Sequence, residues 1–330
     1  MDAKEGAEPR IIRLLRSDGE APVSGESLST ALGISRTAVW KHIERLRSMG
    51  YAISASTRKG YSLDTPPGAL FNGVEIAAGL TTSFVGAEIH FYPAIASTNV
   101  KAFELGRSGA PEGAAVVADA QTNGRGRLGR RWESPPGVNL YTSIILRPAI
   151  QPRDAHQLTF VAAVATAECA AAFVTQRPVV KWPNDILING RKAAGILLEM
   201  DSEPDRVNFV VMGIGVNVNM RPRALPAPIR ETAAPLSGPG ALIDRCALAR
   251  ALYSGVEKWY KIYLDKGFAA VMDAWRGLFD AEGRPVTVTA FNRVIKGICA
   301  GVDADGALLV RTSGGKVERV VSGDVETARQ

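Results

Sequence analysis

Between residues 10 and 63 the apolar positions recur at helical spacing in three short blocks. Ile11, Leu14 and Leu15 make one stripe, Leu28, Ala31 and Leu32 a second, and Val39, Ile43 and Leu46 a third at i, i+4 and i+7. Gly33 can end the second helix in a left-handed turn, Ser35 can cap the third, and Gly50 can stop it. The pattern then changes to short extended runs: Tyr51 to Ser56, a turn at Thr57-Arg58-Lys59-Gly60, and Tyr61 to Leu63. Three helices followed by a small hairpin predict a winged helix-turn-helix over residues 1–66.

Thr65-Pro66-Pro67-Gly68 closes that region, since consecutive prolines suit neither helix nor strand. From 67 to 279 β-branched runs alternate with helices, predicting a mixed α/β domain. Ala114–Ala118, Leu140–Leu146, Val179–Trp182 and Val207–Val211 read as strands. Phe160 to Val174 is apolar, mostly alanine, and interrupted by Glu168. At about 15 residues it is short for a membrane span, and reads as a buried helix begun by a capping box at Asp154-x-x-Gln157. The Pro-rich stretch from Arg221 to Gly240 reads as a surface loop or flap, and residues 241–278 return to helix. After Gly283, four short strand patterns separated by Gly or Asp turns predict a small SH3-like β-barrel within 280–330. The class is therefore α+β.

Composition narrows the partners. The 330 residues exceed one ordinary core, and 46% hydrophobic with 22% charged residues excludes wholesale disorder. The net charge of +6 permits nucleic-acid or phosphate partners without requiring them. Cys169, Cys246 and Cys299 are odd in number and far apart, and His42, His90 and His156 share no ligand spacing. Neither a disulfide framework nor a metal site is expected, and a cytoplasmic location fits. MDAKEGAEPR has no apolar core and is not a signal peptide.

The most unusual segment runs from Gln121 to Trp132, in which Gly124, Gly126 and Gly129 alternate with Arg125, Arg127 and Arg130. It contains G-x-G-x-x-G, but no helix pattern follows and no acidic residue stands about 20 positions on, which argues against a dinucleotide fingerprint. Glycines let a backbone approach an anion closely, and interleaved guanidiniums can grip phosphate or carboxylate. A solvated basic loop is the plainer alternative. Lys181-Trp-Pro-Asn-Asp185 precedes an Asn189-Gly190 hairpin turn that should bring Asp185 toward Lys192. That pair is either a surface ion pair or a charge-handling pair in a cleft. Ser97, Thr98 and Asn99 stand where a strand gives way to a helix, and can cap the helix or bind a polar ligand head. Gly213-Ile-Gly215-Val-Asn217 follows an apolar strand and allows close backbone approach.

In their order, S-T-N, Q-x-x-G-R-G-R-x-G-R-x-W, K-W-P-N-D, K-x-x-G-I-L-x-E and G-x-G-x-N resemble the biotin protein ligase family. The winged helix ahead of them resembles its bifunctional type, which also represses biotin genes. Lipoate ligases lack the arginine-glycine loop. The resemblance implies a central domain of the class II aminoacyl-tRNA synthetase/biotin ligase-like fold. It implies ATP-dependent formation of biotinyl-5′-AMP, with Mg²⁺ carried by the phosphates. Transfer to a lysine of the biotin carboxyl carrier protein of acetyl-CoA carboxylase would follow. By resemblance, Ser97, Thr98, Asn99, Gln121, Gly124, Arg125, Gly126, Arg127, Lys192 and Gly195 face biotin. Arg127, Arg130, Trp132, Lys192 and Asn217 border the adenylate. Arg127 and Lys192 would screen the approaching anions, and Asp185 would orient or deprotonate the incoming lysine. Leu128 departs from the pattern, standing where a further cation is sometimes found.

Between Arg36 and Lys59 six cations face one acid, Glu44, a local excess that the first domain as a whole does not share. Ser35, Arg36, Thr37 and Lys41 could reach a major groove, and Arg58 and Lys59 suit wing-to-phosphate contacts. Operator DNA is thus an expected partner. The resemblance further implies a homodimer promoted by biotinyl-AMP. Two alternatives stay open: a ligand-sensing repressor without ligase activity, and a ligase with a vestigial DNA-binding domain.

Overall fold

Three amphipathic helices and a two-stranded wing open the computed structural model, which describes residues 6–17, 21–56, 59–221, 223, 225–238, 240–290 and 293–327. Helix α1 (Ala7–Ser17) buries Ile11, Ile12 and Leu15, α2 (Gly25–Leu32) buries Leu28 and Leu32, and α3 (Arg36–Ser48) buries Val39, Ile43 and Leu46. Gly33 ends α2 at φ 68°, and Ser35 Oγ accepts from the Ala38 N–H at 3.1 Å, as the sequence predicts. Strands β1 (Ile53–Ser56) and β2 (Gly60–Leu63) pair antiparallel as the wing.

The central body is built on a seven-stranded sheet. Its elements are α4 (Gly73–Ala78), β3 (Ile89–Tyr92), α5 (Thr98–Arg107), β4 (Ala115–Ala118), β5 (Leu140–Leu146), α6 (Gln157–Ala171), β6 (Val179–Lys181), β7 (Asp185–Ile188), β8 (Arg191–Ser202), β9 (Val207–Val216), α7 (Ala227–Arg230), α8 (Arg245–Lys266) and α9 (Phe268–Arg276). The sheet order is β3-β4-β5-β9-β8-β7-β6. Only β3 and β4 are parallel, joined through α5; the other pairs are antiparallel. Alternation divides the sheet: Ala115, Val117, Ile144, Val210 and Met212 face α6, α8 and α9, while Val116, Ile145, Phe209 and Val211 face α5.

One expectation fails here. Asp154 forms no capping box, because it lies in a 3₁₀ turn, Pro152–Asp154, that feeds directly into α6. His156, at the cap position, is already helical and makes no side-chain cap bond. The Pro-rich stretch lies largely at the surface and is tied to the body at a few points. Lys192 N–H donates to Thr232 O at 2.7 Å and Ala234 N–H to Lys192 O at 2.9 Å, while Leu225 and Ala233 pack with Met220. Its prolines forbid regular pairing but leave enough N–H groups to bond the strand beneath it.

The C-terminal strands are β10 (Pro285–Ala290), β11 (Arg293–Val302), β12 (Leu308–Arg311), β13 (Val317–Val320) and β14 (Asp324–Thr327). Their order, β13-β12-β11-β10-β14, returns the last strand beside the first in the SH3-like manner. This sheet shares one apolar core with the body: Cys299, Leu308 and Val310 belong to the same buried cluster as α6 and α9. Trp182 Nε1 donates to Gly306 O at 2.9 Å across the seam. No helix among the described residues is long and apolar enough to cross a membrane.

One buried carboxylate ties α8 to the loop before β3. Glu257 accepts from the backbone N–H groups of Ser83, Phe84 and Val85, from the Ser83 hydroxyl, and from Lys261 Nζ. Burial alone would raise its pKa; the lysine and the N–H groups outweigh that and lower it to about 2. The folded value lies below the ordinary 4.5, so the stabilisation is complete above that pH and is lost as pH falls toward 2. Glu257→Gln should cost about 2 kcal/mol in urea unfolding at pH 7. The gap between variant and parent should narrow steadily between about pH 5 and pH 3.

Candidate active site

The floor of the site is a patch of sheet without side chains. Tyr141 and Ser143 of β5 stand beside Gly215 and Gly213 of β9, and Gly195 of β8 pairs with Gly215. A Cβ on Gly215 would lie 2.6 Å from Trp132 Cε2, and one on Gly195 would lie 2.9 Å from Trp132 Cζ3 and 3.0 Å from Lys192 Cε. One on Gly213 would overlap the Asn99 side-chain amide. The glycine motif expected after the strand therefore lies within β9, where its missing side chains admit other residues onto the backbone. Above this floor is a cavity of about 660 Å³, large enough for a small-molecule ligand.

At one end the cavity is polar. Ser97, Thr98 and Asn99 are all buried. Ser97 occupies the cap position of α5, yet its side chain does not cap the helix. Gln121 caps it instead, its Oε1 accepting from the Thr98 N–H at 2.8 Å while its Nε2 donates to Ser134 Oγ at 2.9 Å. Asn99 Nδ2 donates to Glu199 Oε2 at 2.8 Å, and Ser143 Oγ lies 2.7 Å from Asn99 Oδ1. The S-T-N segment is thus fixed as part of a polar wall.

Cations line the other end. Lys192 Nζ lies 2.6 Å from Asp185 Oδ1, as the Asn-Gly hairpin predicts, and 5.3 Å from the centre of the Trp132 ring. Arg127 Nη1 donates to Asn184 Oδ1 at 2.9 Å, and its Nη2 approaches Ser322 Oγ at 3.3 Å. Burial lowers the pKa of Arg127, with Asp185 opposing that shift and Arg130 adding to it. Arg130 pairs with Asp324, and Arg125 Nη1 with Glu199 Oε1 at 3.2 Å. The loop itself turns at Leu128 with φ 56°, a left-handed conformation unusual for leucine. Trp132 Nε1 is buried and has no hydrogen-bond partner among the described residues, so a polar donor stands open beside the cavity.

The structure brings nearly all the expected residues to one cavity. Ser97, Thr98, Asn99, Gln121, Arg125, Gly126, Arg127, Arg130, Trp132, Asp185, Lys192, Gly195 and Asn217 line it. Gly124 does not. It lies behind the wall, where a Cβ would meet Trp132 O at 2.5 Å and Ser134 Oγ at 2.8 Å. Sequence reasoning did not assign roles to Asn184, Ser143 and Glu199, or to Ser322, Asp324 and Glu326 from the C-terminal barrel. Asn184 stands inside the K-W-P-N-D motif; the barrel residues are nearly 200 positions from the loop they touch and leave no local signal.

On the winged helix, Ser35, Arg36, Thr37 and Lys41 are exposed. Arg36 already pairs with Glu26 at 2.6 Å. Arg47 is a correction to the expected basic surface: it donates to Ile53 O at 2.9 Å and to Glu44 at 2.6 Å, bracing the wing. Arg45 is exposed and pairs with Glu8 at 3.2 Å. Lys59 is exposed, and Arg58 lies outside the described residues.

This architecture and its cation-lined cavity define the biotin and lipoate ligase class. Residues 92–217 match the Biotin/lipoate A/B protein ligase family, residues 9–62 an HTH domain, and residues 283–327 the Biotin protein ligase C terminal domain. The chain belongs to the biotin protein ligase family. It is 41% identical over 317 residues to the bifunctional ligase/repressor BirA of Bacillus subtilis, covering 96% of this chain and 97% of that one. The Escherichia coli bifunctional ligase/repressor BirA is 35% identical over 312 residues, covering 94% of each. The biotin protein ligase from Aquifex aeolicus in complex with biotin and ATP is 27% identical, with a TM-score of 0.64, over 74% of this chain and 99% of that chain.

The bare floor can be tested directly. Gly213→Ala should cost about 1–3 kcal/mol in chemical denaturation, because Asn99 must be displaced. Gly314→Ala, where no atom lies within 4 Å of the new Cβ, should stay within about 0.5 kcal/mol of the parent.

Proposed function

We propose that this chain activates biotin with Mg²⁺·ATP as biotinyl-5′-AMP and transfers the biotinyl group to a lysine of a biotin carboxyl carrier protein. The observation that carries this reading is the meeting of Arg127, Lys192 and Asp185 at the cationic end of a cavity whose other end is a fixed amide and hydroxyl wall. Ser97, Thr98, Asn99 and Gln121 suit the ureido and carboxylate ends of biotin; Gly126 and Gly195 allow close approach, and Arg125 helps order the loop.

In the first step the biotin carboxylate oxygen bonds to the α-phosphorus and pyrophosphate leaves. Both reactants are anions, so their approach needs screening, and Arg127 and Lys192 supply it in a partly dehydrated setting. Arg130, Trp132 and Asn217 border the nucleotide. In the second step the carrier's amine nitrogen bonds to the acyl carbon, AMP leaves, and the amine loses a proton. Asp185, beside Lys192 in the cavity lining, is the carboxylate this reading assigns to orient that amine or take its proton. In the free chain it is paired with Lys192. Neither step needs an enzyme nucleophile.

A second role rests on a different observation, the exposed Ser35, Arg36, Thr37, Lys41 and Lys59 on helix α3 and the wing. They support repression of biotin genes by operator binding, with the adenylate promoting a homodimer that presents two winged helices. The three domains in this reading are 1–66, 67–279 and 280–330.

Arg127→Ala should lower biotin transfer about a hundredfold, by lost adenylation or leakage of adenylate, with the fold retained. Labelled biotin, a carrier domain and chromatography of free adenylate measure both routes; a normal rate with normal retention rejects the assignment. Lys192→Ala should slow adenylation more than it lowers thermal stability. Sedimentation should show stronger self-association with biotinyl-AMP than without it, and equal association removes the proposed coupling.

A further inference from the structure

Helix α4 belongs to two cores at once. Ile76 packs in the core of the central body, while Val74 and Ala78 pack with α1 and α3 of the winged helix-turn-helix. Between these faces lies Glu75, only 1% exposed. Arg16 of α1 grips its carboxylate with both terminal nitrogens, Nη1 to Oε1 at 2.9 Å and Nη2 to Oε2 at 3.1 Å. Tyr51 OH donates to Oε2 at 3.0 Å, and the Gly68 N–H approaches Oε1 at 3.3 Å. Asn72 caps α4 through its Oδ1, which accepts from the Glu75 N–H at 2.8 Å. The other side of α4 is fastened to the body, with Arg250 of α8 donating to Glu75 O at 2.9 Å. Arg13 adds a bond from its Nε to Ala78 O at 3.0 Å.

We propose that Glu75 and Arg16 are positioning residues for DNA recognition: their buried ion pair fixes the direction in which the winged helix leaves the ligase body. Apolar contact between α1 and α4 alone would tolerate sliding. A planar two-point pair is satisfied at one relative placement, and any rotation strips a buried carboxylate of its partner. In an assembly with two heads, a fixed departure angle sets the distance between the recognition helices. It thereby sets the spacing between half-sites, without Glu75 or Arg16 touching DNA. The inference rests on the operator-binding reading of the winged helix.

The test uses the full chain with biotin and ATP. Duplexes are first selected by the parent chain from a random library, then rebuilt as single half-sites and as paired half-sites with spacers varied by one to three base pairs. Glu75→Gln should bind the single half-site as the parent does, and bind the optimally spaced pair about tenfold more weakly. It should also tolerate altered spacers better, while transferring biotin at the parent rate. Because a single change leaves one buried partner unmatched, the double variant Arg16→Leu with Glu75→Leu is measured beside it; it should fold and show the same spacing tolerance. Equal losses on single and paired sites, or unchanged spacing preference in a folded double variant, overturn the proposal. A parent chain that selects no paired site overturns the operator-binding reading itself.

Discussion

The three missing side chains on β8 and β9 are the constraint around which the site is arranged. Gly195, Gly213 and Gly215 lie on one face of neighbouring strands, and that face receives the Asn99 amide, the Trp132 ring and the Lys192 stem. Each of these comes from a different part of the chain, namely the start of α5, the arginine-glycine loop and the start of β8. A methyl group on the floor would push one of them off its place. The displaced group would intrude on the cavity that all three border. Position at the site is therefore set from beneath, by backbone.

The same arrangement determines how charge is held. Four of the cations that line the cavity are already engaged: Lys192 with Asp185, Arg127 with Asn184, Arg130 with Asp324 and Arg125 with Glu199. A bound anion must exchange for these partners, so its gain is the difference between two interactions and not the whole of one. Such a site favours a ligand whose charge exceeds that of the side chains it replaces. A phosphoryl group in the act of transfer meets that condition better than a single carboxylate.

Much of this was legible in the sequence because it was local. The turn residues Gly33 and Ser35, the Asn189-Gly190 hairpin and the apolar periodicities act over a few positions, and each is found where its chemistry demands. The Asp185–Lys192 pair followed from hairpin geometry alone. Elsewhere local chemistry was overridden. Ser97 stands at a helix start and does not cap it because Gln121, distant in sequence, occupies the same N–H group. Asp154 had the spacing of a cap and lost the role to a turn that was already helical. The barrel residues at the cavity mouth had no sequence signal, since nothing local marks a contact between Arg127 and Ser322.

The seam at Trp182 has a wider meaning. The indole lies almost fully buried at the turn between β6 and β7, and its N–H is satisfied by a carbonyl of the barrel. The apolar side chains of the barrel continue the core of the body without a break. A ligase trimmed before residue 280 would expose the underside of α6 and α9 and leave an indole N–H without an acceptor. The five C-terminal strands are thus a wall of the catalytic unit, and the ligase body cannot be cut free of them without opening its own interior to water.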